Sequence, residues 1–391
     1  YFDRINGVIA LDFSFKKGSY AEITELLLAN NIVNMEKGLY LIENNSYKSS
    51  LHTLAYLKAI KTPLISHASK EVIRAIGLAS DIKGKKTHPD TMTADILWNA
   101  YILHSLNGNY DGIDLKTFYN EVIADEGYPP NDSQMEAILN GILKKLSIIW
   151  GPPGTGKTAT ASLLIKLLLK IMTIRNEKKT ILLSAFTYQA CIELFSKLQL
   201  KLDINYAHIN FYFIKSKNRN EFIKFESIKP YWMNLKVLDT QDSFSKLKSE
   251  LGKSLNVIIA PTAALNGFYN DNLNTDGYKK NPKYENIGKF IDFALLDEAS
   301  QCDVVNSLSV LYGLKKDAQL VILGDHLQMP PIHQVEPPVG IEYYVGSFLE
   351  YLLKRHNVKP IMLNTNYRSL ESIVQYIETL GYDNLLATRT I

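Results

Sequence analysis

One stretch constrains this chain more than any other: Ser147-Ile148-Ile149-Trp150-Gly151-Pro152-Pro153-Gly154-Thr155-Gly156-Lys157-Thr158. It reads strand, glycine loop, helix. The apolar run Ile148–Trp150 predicts a short buried parallel strand. Gly151, Gly154 and Gly156 let backbone N–H groups turn inward around phosphate oxygens, where Cβ atoms would clash. Lys157 is placed to reach outer phosphates, and Thr158 offers a hydroxyl to Mg²⁺. From Thr158 to about Ile171 the sequence predicts a helix, whose N-terminus adds a favourable dipole for an anion. In a chain of 391 residues a chance match to this spacing is about a one-in-a-hundred event. The alternative, a glycine turn with a surface lysine, does not explain the strand before it and the helix after it.

A length of 391 residues suits two to three domains and a large core. With 46% hydrophobic and 21% charged residues, the composition is that of a globular protein and not of a disordered one. The net charge of +3 permits a nucleic-acid partner without arguing for one. Two distant cysteines, Cys191 and Cys302, point to a reduced, intracellular setting, cytoplasmic or nuclear. No apolar run reaches membrane-spanning length, so no membrane is expected as a partner. No signal peptide is visible, but the first residue is Tyr1 rather than Met, which leaves the natural start open.

Residues 1–128 read as an N-terminal α+β accessory region, mostly helical and without a motif that converts to chemistry. Strands are expected at Val8–Phe13 and Leu39–Ile42. Helices are expected at Ala21–Leu28, Ser50–Ile60, Lys70–Leu78, Ala94–Leu106 and Leu115–Ile123. Asp12, Glu22 and Glu25 read as solvated charges, and His52, His67, His88 and His104 as structural. Pro129-Pro130 marks a boundary, after which Asn131 or Asp132 caps a helix running to about Lys145. Gln134, just upstream of the glycine loop, carries one donor and one acceptor suited to a purine edge.

Further strands are expected at Thr180–Thr187, Asn210–Lys215, Asn256–Thr262, Ile291–Asp297, Gln319–Asp325 and Pro360–Leu363, with helices at Ala190–Leu200 and Phe348–His356. Alternating strand and helix builds a parallel sheet. Insertions are expected at about 201–255 and 268–289. The first, from 216 on, is lysine-rich, dotted with aromatics and helical by pattern. It suits a nucleic-acid groove and a solvated helical surface equally. The second reads as a long surface loop. The strand ending at Asp297-Glu298 delivers two adjacent carboxylates to a sheet tip, where open α/β sheets bind ligands. Asp297 is placed to hold Mg²⁺ and Glu298 to orient water. Gln328, on a proline-stiffened loop, is placed to sense a γ-phosphate. Tyr367 offers a stacking ring, and Arg368 a permanently charged fork.

Taken together these stretches resemble superfamily 1 helicases, in the Upf-like branch that generally moves 5′ to 3′. Asn131–Gln134 is similar to that family's Q motif, Gly151–Thr158 to its Walker A loop, and Ser184–Thr187 to motif Ia. Ala260-Pro261-Thr262 matches the next strand tip, Asp297–Gln301 matches motif II, Gly324–Pro331 matches motif III, and Asn366-Tyr367-Arg368 the tyrosine–arginine motif. The resemblance covers about 129–391. It implies a RecA-like P-loop NTPase fold, with a parallel sheet flanked by helices, acting as the first motor domain. It implies ATP and Mg²⁺ as ligands, cradled by Gly151, Pro152, Pro153, Gly154, Thr155, Gly156, Lys157 and Thr158. Gln134 and Tyr367 would hold adenine, Arg368 the γ-phosphate, and Thr158 and Asp297 the metal. Thr187 and Thr262 would touch the nucleic-acid backbone, and Gln328 would couple the two sites.

The expected function is an ATP-dependent DNA or RNA helicase or translocase acting on single strands. The family's second RecA-like domain is absent from residues 1–391 and is expected C-terminal to Ile391. The rival readings are a nucleotide-gated binding module that turns over slowly alone, and a ring-forming or transporter ATPase. Gln328 and the Gly324–Pro331 loop argue against the latter.

Overall fold

The computed structural model describes residues 2–3, 8–9, 92–124, 126–127, 129–215, 230–239, 247, 249–265, 268, 289–331 and 346–389. The chain divides into two units, Tyr1–Leu51 and His52–Ile391. In the first, β1 (Phe2–Asp3) pairs antiparallel with β2 (Val8–Ile9), which covers the start of the strand expected at Val8–Phe13. The elements expected between Ala21 and Leu78 lie outside the described residues, as do Asp12, Glu22, Glu25 and the 269–288 stretch.

The second unit holds α1 (Met92–Ser105), α2 (Leu115–Ile123), α3 (Asp132–Leu143), β3 (Leu146–Trp150), α4 (Lys157–Ile174), β4 (Thr180–Ala185) and α5 (Tyr188–Lys201). It continues with β5 (Asn210–Lys215), β6 (Asn234–Asp239), β7 (Asn256–Pro261), β8 (Ile291–Asp297), α6 (Val304–Tyr312) and β9 (Leu314–Gly324). A three-residue α7 (Phe348–Glu350) runs into a π-helical turn at Tyr351–Arg355. Last come β10 (Ile361–Met362), β11 (Thr365–Leu370), α8 (Glu371–Glu378) and β12 (Leu386–Arg389).

Eight strands form one sheet in the order β10-β3-β9-β8-β4-β7-β5-β6, every neighbouring pair parallel. A parallel sheet must be covered on both faces, and the side-chain period of two meets this demand. Ile149, Leu183, Leu295 and Leu323 point into one core with α2, α3, α4 and α5. Their neighbours Ile148, Leu182, Leu296 and Ile322 point into the other, with α1, α6 and α7. Each such side chain contributes on the order of 1.5–3 kcal/mol by leaving water.

This packing moves the boundary expected at residue 128. Met92, Ile96, Ala100 and Leu103, spaced along one face of α1, are buried in the second core. Leu115, Tyr119 and Val122 do the same for α2 in the first. Both helices belong to the covering layers of the eight-stranded sheet. A second correction concerns the stretch read as helical from residue 216 on. Its described part contains β6, the edge strand, paired along its whole length with β5. Leu235 is buried and Val237 partly so, while Lys236 is exposed. That alternation is a strand period, which the density of lysines disguised. The sequence also gave no sign of β11 and β12, which pair in parallel as a separate two-stranded sheet around α8.

Candidate nucleotide site at the carboxyl end of the sheet

β3 lies beside β9, and β9 beside β8, so the glycine loop and the acidic tip end two strands apart. Backbone bonds knit the three tips together: Gly151 N donates to Gly324 O at 3.1 Å, and Ala299 N to Leu323 O at 2.9 Å. α4 starts at Lys157, with Gly156 before it in the left-handed region at φ 80°. Gly154 also has φ 80°, and a Cβ there would meet Asn366 Oδ1 at 2.8 Å and the Cβ of Arg368 at 2.9 Å. The loop therefore keeps its shape only with glycine at these two positions.

Lys157 Nζ stands 3.9 Å from Glu298 Oε1, so the helix start and the acidic tip meet. Asp297 is 3% exposed, and its Oδ1 accepts from Glu298 N at 2.8 Å. Burial, reinforced by the Glu298 charge and only partly offset by Lys157, pushes the Asp297 carboxyl up to about 6. Glu298 adopts φ 53°, a strained conformation for a non-glycine residue, held at the strand end. Two acids with one nearby lysine are short of positive charge. That donor set fits a hard divalent cation with oxygen ligands, and Thr158 lies in the first turn of α4 beside Lys157. Among the described residues no group of three or more His, Cys, Asp or Glu converges as a metal cluster.

The other residues named from sequence are placed as follows. Gln134 is the third residue of a capping box: its Oε1 accepts from Asn131 N at 3.1 Å, and Asn131 Oδ1 accepts from Gln134 N at 2.9 Å. Its Nε2 donates to Thr155 O at 3.1 Å, so the amide read as facing a purine braces the glycine loop. The Asn-x-x-Gln spacing carried that capping signal. Tyr367 reaches the same corner, with Asn131 Nδ2 donating to its hydroxyl at 2.7 Å and Tyr367 N to Gly154 O at 2.9 Å. Asn366, fully buried, donates to Pro153 O and accepts from Arg368 N and Ser369 N. Arg368 and Tyr367 are exposed beside the loop.

Thr187 caps α5 by accepting from Ala190 N at 3.2 Å and stays exposed, next to exposed Phe186. Thr262 differs from expectation. It is 1% exposed at the end of β7 and offers no surface to a bound strand. Its neighbour Ala263 is the exposed residue, because the chain turns into helix there and carries the threonine inward. Gln328 donates through Nε2 to Asp325 Oδ2 at 2.9 Å. Among the described residues no helix is long and apolar enough to cross a membrane.

Residues 134–334, just over half of the chain, match the family model described as an AAA domain. The yeast Saccharomyces cerevisiae DNA replication ATP-dependent helicase/nuclease DNA2 is 27% identical over 244 residues, 61% of this chain and 13% of that protein. The RecD subunit of the RecBCD enzyme from Buchnera aphidicola is 25% identical over 63% of this chain and 33% of its own length. The Drosophila melanogaster homolog of regulator of nonsense transcripts 1 is 24% identical over 66% of this chain and 21% of its own. The chain thus spans at most a third of the length of these relatives. With the glycine loop, acidic tip and parallel sheet in one arrangement, the chain belongs to the AAA-domain family and is similar to superfamily 1 helicases.

Proposed function

We propose that this chain binds ATP at the glycine loop and hydrolyses it to drive movement along single-stranded DNA or RNA. The observation that carries the reading is the meeting of Lys157 with Glu298 at 3.9 Å, beside a loop whose shape needs glycine. Backbone N–H groups of Gly154, Gly156, Lys157 and Thr158 face the phosphates, and Lys157 stabilises charge on the β- and γ-groups. Thr158 and Asp297 hold Mg²⁺, which when bound neutralises phosphate charge. Glu298 orients water for in-line attack, its carboxylate already beside Lys157. Tyr367 takes one face of the base, and Gln134 keeps one N–H for its edge while bracing Thr155. Arg368 reaches the γ-phosphate from the strap that crosses Gly154.

Thr187, with Phe186 beside it, offers a polar and an aromatic contact for a strand, a pairing suited to sequence-tolerant binding. The motif forms favour the Upf-like branch and 5′-to-3′ movement, and an intracellular setting goes with both ligands. β11, α8 and β12 form a β-α-β unit, and Ile373 and Tyr376 on α8 are 48% and 66% exposed. A two-stranded parallel sheet is not stable alone. This unit therefore opens a second parallel sheet, completed as a second RecA-like domain by further chain.

A nucleotide-gated binding module is the second reading, favoured by Gln328 being engaged by Asp325 in the free protein. Steady-state ATPase with and without single-stranded DNA or RNA separates the two. Strong stimulation supports the motor; retained binding with none supports the module.

A further inference from the structure

Asp325 follows the last residue of β9 and is fully buried. Four donors converge on its carboxylate. Oδ1 accepts from Trp150 Nε1 at 3.0 Å and Leu327 N at 3.2 Å. Oδ2 accepts from Gln328 Nε2 at 2.9 Å and from the Tyr382 hydroxyl at 3.0 Å. A carboxylate has about four acceptor positions, so this one is saturated without a lysine or arginine.

Its partners come from three separate elements. Trp150 ends β3, one residue before the glycine loop. Gln328 lies on the loop after β9. Tyr382 lies between α8 and β12, in a small apolar cluster with Val374 and Leu385 against which Trp150 packs. The Trp150 and Tyr382 rings stack with centroids 6.0 Å apart and planes at 29°. Pinning three elements does not require a charge, since a buried ion is often replaceable by apolar packing at no loss. An ionised acceptor has one property that packing lacks: it can release one donor and stay satisfied by the rest.

We infer that Asp325 is a positioning residue that holds Gln328 away from the nucleotide and releases it, while Tyr382 and Trp150 keep the carboxylate satisfied. This rests on the nucleotide reading above. Oδ2 is shared between Gln328 and Tyr382, so the two are linked through one oxygen. When Gln328 turns toward the nucleotide, the Tyr382 hydroxyl is the donor left on Oδ2. Without that hydroxyl, release strands a buried carboxylate oxygen, and Gln328 stays parked. The position of the β11-α8-β12 unit thereby sets how readily Gln328 moves.

The test is a double-mutant cycle on the intact protein, read by single-turnover ATP hydrolysis and by calorimetric affinity for a non-hydrolysable ATP analogue. Tyr382→Phe keeps the ring stack and deletes the donor. We expect it to slow hydrolysis roughly 5- to 10-fold with analogue affinity within about twofold, matching the loss of one charged hydrogen bond. In a Gln328→Ala background the same change is expected to cost nothing further. Equal slowing in both backgrounds means a merely structural role and overturns the inference, as does an unchanged rate. Should Gln328→Ala be too slow to measure, Trp150 emission decides. The analogue should change it in wild type and not in Asp325→Asn, with Trp150→Phe as the blank. A change that survives Asp325→Asn overturns the inference. Absence of analogue binding to wild type would instead sink the nucleotide reading itself.

Discussion

Two regions of this molecule bury acids, and they do so in opposite ways. On one flank Glu126 accepts from Lys166 Nζ at 3.1 Å and from Lys201 Nζ, linking the segment after α2 to α4 and α5. At the carboxyl end of the sheet Asp297 and Glu298 lie side by side, with Lys157 the one cation paired with them among the described ion pairs. Burial raises the Glu126 carboxyl, but the hydrogen bonds from Lys201 and Lys166 overcome it and hold the group below the usual carboxylate range. Burial and Glu298 drive Asp297 the other way. The first region spends its charges on the fold. The second keeps a deficit of positive charge, which costs stability in the free protein and is met when a cation and a nucleotide arrive.

That contrast can be broken at several points. Glu298→Gln, which keeps shape and removes the charge, should lower hydrolysis at least ~100-fold while nucleotide affinity holds within about threefold. Single-turnover assays beside calorimetry check both halves, and parallel loss of affinity would show that Glu298 serves binding. Glu126→Ala should destabilise the protein by about 3 kcal/mol, because Lys166 is left buried without its acid. Urea unfolding measures this, and nucleotide affinity should not change. Asp297→Asn should do the reverse, stabilising the free protein by about 1–3 kcal/mol while weakening Mg²⁺-dependent binding. A lower melting temperature in that variant would contradict the account of the tip.

The smallest effect is one of pH. Asp297 binds its proton more tightly folded than unfolded, so its contribution to stability falls as pH rises from about 4 to about 6 and is flat above. Glu126 has the opposite sign: its contribution is present above the unfolded value and lost as pH falls through its lowered folded value. Subtracting the Asp297→Asn stability profile from that of wild type should isolate the first slope. A flat difference across that window would show that Asp297 is not strained by its surroundings.

Much of this was legible in the sequence, for physical reasons. A buried parallel strand has to be apolar on both faces, so Ile148–Trp150 and Ala294–Leu296 announce themselves without context. The glycines at 154 and 156 are demanded by local backbone geometry, here φ 80° at both. What escaped depends on distant partners. Lysines around β6 hid its alternation, and the apolar faces of α1 and α2 look alike whether they cover an accessory region or this sheet. Nothing near Thr262 says that the chain turns it inward. Asp325 and Tyr382 are 57 positions apart, so their bond is invisible to any local pattern. Gln134 was expected at adenine and Gln328 at the γ-phosphate; in the free protein their hydrogen bonds run to Asn131, Thr155 and Asp325.

The most direct test of the whole account is calorimetric titration of Mg·ATP into wild type and Lys157→Ala. Lys157 is the one cation bridging cradle and acidic tip among the described ion pairs. Its loss should weaken binding at least ~100-fold, as expected for the charge that meets the outer phosphates. Equal affinity in the two proteins would place the nucleotide elsewhere and end the argument built on this site.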